Sequence, residues 1–147
     1  MSSPKMAIGV DVGGTFIKAA LCSKDGEVVI RSSTDTVARE GYEGVLHRII
    51  WIVEDVVERS GVQRGDIGGV GLGLPGRVDP RSGDAVMCPN LPGFVGVPVA
   101  RPLADALGMT VRIGNDAGCA GLGEFHFGAG KGSRDMIMLT LGTGIGG

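Results

Sequence analysis

MAIGVDVGGTFIKAALC, residues Met6 to Cys22, decides how the rest of the chain is read. Met6 to Val12 is a short apolar run that ends on Asp11 and the pair Gly13-Gly14. Thr15 to Cys22 is a second extended run, and two such runs joined at glycines predict a hairpin. Lys24-Asp25-Gly26 carries the Asp-Gly signal of another tight turn. Glu27 to Thr34 then alternates as a third strand does. Three strands with short connections predict an antiparallel meander.

Beyond the meander the period changes. Val45, Ile49, Ile52, Val53, Val56 and Val57 share one helical stripe, and Arg48, Glu54, Asp55 and Arg59 lie away from it. A helix from about Tyr42 to Ser60 is predicted, stopped by Gly61. Ile67 to Leu74 reads as a buried strand, parallel to the first because a helix crosses over between them. Pro75-Gly76 ends it, and Arg77 to Phe94 is loop-rich with a short strand at Ala85 to Cys88. A short helix at Pro102 to Leu107, a strand at Met109 to Ile113 and a small-residue helix at Asp116 to Phe127 follow. Gly128 to Ser133 reads as a flexible loop and Met136 to Leu141 as a last strand. The pattern is α/β. A glycine-rich turn straight after a buried strand leaves an edge and an apolar face to be covered, so the chain reads as the first part of a longer protein.

Glycine fills 28 of 147 positions without a Gly-X-Y period, and hydrophobic residues make up 43%, so neither collagen nor disorder accounts for it. Sharp turns or close approach of backbone to a ligand do. The net charge of -2, with no basic stripe, argues against nucleic acid as the main partner. Cys22, Cys88 and Cys119 form no C-x-x-C pair, which excludes a zinc site and a disulfide framework and suits a reducing cytoplasm. No apolar run approaches the roughly 20 residues that span a bilayer, and the first ten residues do not read as a signal peptide.

Asp11-Val12-Gly13-Gly14-Thr15 suits a phosphate loop: glycine backbone can approach an anion, Thr15 adds a hydroxyl, and Asp11 offers hard oxygen to a hydrated Mg2+. The same residues also make an ordinary hairpin. Gly71-Leu72-Gly73-Leu74-Pro75-Gly76 matches the dinucleotide pattern G-x-G-x-x-G, but Arg77-Val78-Asp79-Pro80 is no helix start and residues 91–100 hold no acid, so that reading is rejected. Gly142-Thr143-Gly144-Ile145-Gly146-Gly147 matches it too, after a strand, and stays open. Gly128 to Ser133 imitates a P-loop but lacks Lys followed directly by Ser or Thr. Asn115-Asp116 is a helix cap by spacing, or a carboxylate at a strand end able to take a hydroxyl proton. His47 and His126 read as surface residues.

In order along the chain, Asp11 to Thr15, Leu74-Pro75-Gly76, Pro89-Asn90-Leu91-Pro92-Gly93, Asn115-Asp116-Ala117 and Leu141 to Gly147 resemble the ROK family of sugar kinases and repressors, most of all its bacterial glucokinases. The resemblance covers the whole chain. It implies the hexokinase/actin/Hsp70-like (ribonuclease H-like) ATPase fold, with residues 1–113 as an N-terminal α/β lobe and 114–147 opening the second. It implies ATP phosphates clasped by Asp11, Gly13, Gly14 and Thr15 from one side and by Gly142, Thr143, Gly144 and Gly146 from the other, with Mg2+. Asp116 maps onto the catalytic base, and Gly76, Asn90, Asn115 and Asp116 onto sugar contacts. The family's other sugar ligands, zinc motif and adenine pocket come later than residue 147. The implied activity is phosphorylation of a hexose, glucose first, by a cytoplasmic homodimer. A sugar-sensing ROK regulator is the alternative, favoured less because no helix-turn-helix segment precedes Met6; a nucleotide-binding dehydrogenase domain is the third reading. The role of Lys18 stays open.

Overall fold

The computed structural model describes residues 6–141 and the backbone of 145–146. The meander forms as expected: β1 (Met6–Val12), β2 (Phe16–Ser23) and β3 (Val28–Asp35) are antiparallel neighbours. Helix α1 (Gly41–Ser60) then crosses over to β4 (Ile67–Leu74), which lies parallel to β1. Strand β8 (Val111–Asn115) joins β4 in parallel, giving one five-stranded sheet of order β3-β2-β1-β4-β8.

The two faces of this sheet differ in kind. Ile8, Val10, Val12, Ile17, Ala19, Leu21, Val70, Leu72, Leu74, Val111 and Ile113 are buried, one face of a period-2 pattern. The α1 stripe meets them: its six predicted positions are all buried, with Leu46 beside them. Helix α2 (Ala100–Leu107) adds Leu103 and Leu107 to the same core. The opposite face carries Gly9, Asp11, Lys18, Ala20, Gly71 and Gly73, a surface of small and charged residues. Gly61, at φ 67°, ends α1 as its position suggested.

The segment expected to be mostly loop is more ordered than its composition suggests. β5 (Arg77–Asp79), β6 (Asp84–Met87) and β7 (Val95–Pro98) form a small antiparallel sheet. The sequence pattern predicts only β6; β5 is three residues long and β7 carries a Gly and a Pro in four, so neither shows a period. Because β5 follows Gly76 directly, the Gly71–Gly76 pattern opens no helix, in agreement with rejecting it as a dinucleotide site. Helix α3 (Asp116–Phe127) follows β8 without a loop.

Two expectations fail. Of Met136 to Leu141 only β9 (Thr140–Leu141) is a strand, paired with β10 (Ile145–Gly146). Ile137 and Leu139 stand exposed, since no described strand lies beside them to complete a ladder. Gly128 to Ser133 is a hydrogen-bonded turn rather than a loose loop: Gly130 and Ala129 donate to Glu124, Lys131 to Gly128, and Ser133 to Gly130. No helix among the described residues is long and apolar enough to cross a membrane.

Candidate active site

Register places the polar residues of the open face in one row. Ser33 on β3 pairs with Lys18 on β2, Lys18 with Asp11 on β1, Asp11 with Gly73 on β4, and Gly73 with Gly114 on β8. Helix α3 begins over the end of that row. A Cβ on Gly73 would lie 3.4 Å from Asp116 Cα, and one on Gly114 would lie 2.8 Å from Cys119 Sγ. Glycine at these two positions lets α3 sit down on the sheet. Asp116 is thereby held one strand away from Asp11.

The β1–β2 turn forms the next side. Gly13 N–H donates to the Phe16 carbonyl at 2.9 Å, and a Cβ on Gly13 would lie 3.0 Å from that oxygen. Neither Gly13 nor Gly14 has a positive φ; close approach, not a left-handed turn, is what requires glycine here. A Cβ on Gly14 would lie 3.3 Å from Asn90 Cβ, so the turn touches the β6–β7 connection directly. The amide groups of Gly14 and Thr15 have no backbone partner among the described residues and lie at an exposed turn. That leaves two donors for an anion.

Asn90 in turn is carried on a fixed loop. Leu91 and Phe94 are buried, Leu91 N–H donates to Cys88, Phe94 N–H to Leu91, and Cys88 N–H to Phe94. Gly76 closes the ring. Its φ is +93°, and any Cβ there would collide with the Met87 carbonyl. Its own carbonyl accepts from Asn115 Nδ2 at 2.9 Å, while Asn115 Oδ1 accepts from Gly118 N–H at 3.0 Å. Asn115 is thus both the α3 cap and a strut to Gly76.

Two thiols report on the electrostatics. Burial, and after it the Asp116 carboxylate, push the Cys88 thiol above its ordinary range. The Cys119 thiol is pushed up by the same two causes in the same order, with Asp11 adding to them. Cys119 lies about one turn along α3 from Asp116. A cavity of about 1140 Å³ opens over this region, lined among others by Asp11, Lys18, Arg31, Gly73, Asp116 and Cys119.

The structure brings Asp11, Gly13, Gly14, Thr15, Gly76, Asn90, Asn115 and Asp116 around one side of the sheet. Gly142, Thr143 and Gly144 lie outside the described residues, and Gly146 is seen only as backbone in β10. The sequence reading missed Thr36, the one buried polar residue among those described, whose hydroxyl donates to the Gly13 carbonyl. It also missed Cys119, whose sulfur fills the space over Gly114. A polar residue just past a predicted strand was the only available signal for Thr36. No group of three or more His, Cys, Asp or Glu capable of holding a metal occurs among the described residues. Asp11, an exposed carboxylate on the cavity wall, fits Mg2+ of the kind held by one carboxylate, water and phosphate oxygens.

An antiparallel three-strand meander continued by two parallel strands, with paired glycines at the first turn and Asn-Asp opening the last helix, defines the ribonuclease H-like lobe of the hexokinase/actin/Hsp70 ATPase class. The ROK family model matches residues 7–147, and the chain belongs to the ROK family. A glucokinase of Thermotoga maritima is 41% identical over 98% of this chain and 44% of its own length. The ROK glucokinase of Streptomyces griseus, solved in complex with glucose and AMPPNP, superposes with a TM-score of 0.85 at 33% identity, over 96% of this chain and 43% of that one. A Caldicellulosiruptor sp. protein described as a candidate xylose repressor is 30% identical over 96% of this chain and 35% of its own. The chain thus spans less than half the length of these relatives.

Proposed function

We propose that the intact protein transfers the γ-phosphoryl group of ATP to a hexose, with glucose giving glucose 6-phosphate, and that Asp116 is the general base. The observation that carries this reading is the place of Asp116: over Gly73, one strand from Asp11, on the wall of the same cavity. Phosphoryl transfer asks mainly for positioning and charge neutralisation. Gly14 and Thr15 N–H groups receive phosphate oxygens, and the glycine-rich segment 142–146 is the second phosphate-binding segment that the family resemblance implies. Asp11 is the residue that would hold a hydrated Mg2+, which when bound offsets charge on the phosphate oxygens. Asp116 takes the proton of the sugar hydroxyl as its oxygen bonds to the γ-phosphorus and the bond to ADP breaks. Asn115, Asn90 and the Gly76 backbone hold the sugar. The reaction belongs in the cytoplasm, and the intact protein is a homodimer.

The glucokinase relative and the glucose- and AMPPNP-bound neighbour support the kinase reading; the repressor-like relative supports a sugar-sensing regulator as the second reading. A coupled assay on the intact protein with ATP and a panel of hexoses separates them. Phosphorylation of glucose is the expected result. Sugar binding without turnover overturns the kinase reading in favour of the regulator. Residues 1–147 alone are expected to phosphorylate nothing.

A further inference from the structure

We infer that Thr36 is a positioning residue for the nucleotide: it clamps the Gly13–Thr15 turn so that the Gly14 and Thr15 amides keep one arrangement toward a polyphosphate. The inference rests on the phosphate role of that turn proposed above. Thr36 is fully buried just beyond β3. Its hydroxyl donates to the Gly13 carbonyl at 2.7 Å, and its own N–H donates to the Thr15 carbonyl at 2.8 Å. One residue therefore grips the turn on both sides of Gly14. Gly13 itself has no side chain to do this, and a hairpin tip of two glycines and a threonine is a loose piece of backbone by composition.

The next residue shows how firmly the clamp is placed. Val37 has φ 48° and ψ 52°, in the left-handed region, and is the single non-glycine residue with positive φ among those described. A β-branched residue holds that conformation only where its surroundings fix it. From there the chain enters a short 3-10 turn at Ala38–Glu40 and then α1. The strained step lets the backbone leave β3 and still set Thr36 beneath the neighbouring hairpin. Burying a hydroxyl whose one partner is a turn carbonyl is a poor way to fill a core, since a valine of similar shape would do so without a polar atom. It is a direct way to fix a turn.

Thr36→Val keeps the shape and removes the donor; Thr36→Ser keeps the donor. In the intact protein, Thr36→Val is expected to raise KM for ATP roughly tenfold, the equivalent of one buried hydrogen bond. KM for the hexose should stay within about twofold, and Thr36→Ser should restore KM for ATP. A merely structural role would lower thermal stability without this split between the two substrates. Backbone 15N order parameters at Gly14 and Thr15 give an activity-free reading. They should fall from the rigid value of about 0.85 toward 0.6 in Thr36→Val and stay high in Thr36→Ser. Should Thr36→Val fail to fold, Thr36→Ala, which also lacks the donor, takes its place with the same expectations. An unchanged ATP KM together with unchanged order parameters overturns the inference. A wild-type protein that phosphorylates no hexose, yet shows the loss of order in Thr36→Val, overturns the kinase reading and leaves the clamp standing.

Discussion

Asn115 and Gly76, 39 residues apart in sequence, are joined side chain to backbone at 2.9 Å. The same Asn115 side chain caps α3 through Gly118. One amide group therefore ties the end of β8, the start of α3 and the β4–β5 turn into a single unit, with Asp116 as the next residue. Asn115→Ala should remove a cap worth about 1 kcal/mol and a hydrogen bond of similar size. A loss of roughly 2 kcal/mol in urea unfolding is expected from those two contributions. Asn115→Asp keeps an acceptor for Gly118 but sets a carboxylate against the Gly76 carbonyl, so it should recover the cap and not the strut. Full recovery of wild-type stability in Asn115→Asp would show that the strut to Gly76 contributes nothing.

Asp116→Asn tests the base assignment. The amide is nearly isosteric, Asp116 is only half-buried, and the bond it accepts from Ala117 N–H at 2.8 Å survives through the amide oxygen. The fold should persist while kcat drops by about 10² to 10⁴, the usual span for a lost general base. A variant retaining most of its turnover in the coupled assay would remove Asp116 from the chemistry.

The helix stripe of α1 and the meander were legible because each follows one period over many residues. The pair Asn115-Asp116 was legible as a helix cap by spacing, and Asn115 is that cap; the proposal of Asp116 as a base came only from the ordered set of motifs around it. Thr36 was invisible: its partner Gly13 is 23 residues away, and nothing local to a threonine after a strand tells burial from exposure. Met136 to Leu139 shows the reverse error, an apolar strand-like run that no described neighbour pairs. Local pattern specifies a strand's preference, but a ladder partner decides whether it becomes one.

Gly76 and Gly65 make a paired test of why glycine is abundant. At Gly76 the positive φ and the Met87 carbonyl both forbid a side chain. Gly76→Ala should cost upward of about 2 kcal/mol, within the range of strained backbone sites, and should disturb the loop that carries Asn90. A Cβ placed on Gly65 would meet no atom within 4 Å, and Gly65 has no positive φ. Gly65→Ala should be neutral or stabilise by about 0.4 to 1 kcal/mol, by restricting the unfolded chain. Thermal melts of the two variants check the contrast; equal losses would mean that the crowding at Gly76 is not what selects glycine there.

The thiol of Cys119 offers a chemical reading of where the Asp116 charge sits. Burial comes first among the causes that raise this thiol's pKa, and the carboxylates of Asp116 and Asp11 come after it. A raised pKa means less thiolate at a given pH, and the thiolate is the nucleophile. Near the ordinary thiol pKa of about 8.5, Cys119 should therefore react with iodoacetamide more slowly than a free cysteine. Asp116→Asn removes one negative charge and should lower the pKa, so the labelling rate should rise; Asp11→Asn should raise it less, since Asp11 is the smaller influence. At a pH well above the raised pKa the thiol is ionised in all three proteins, and the rates should converge. If Asp116→Asn left the rate unchanged at every pH, the Asp116 carboxylate would not act on the Cys119 thiol, although the two residues lie one turn apart on α3. Peptide mapping by mass spectrometry separates Cys119 from the buried Cys88 and the half-buried Cys22.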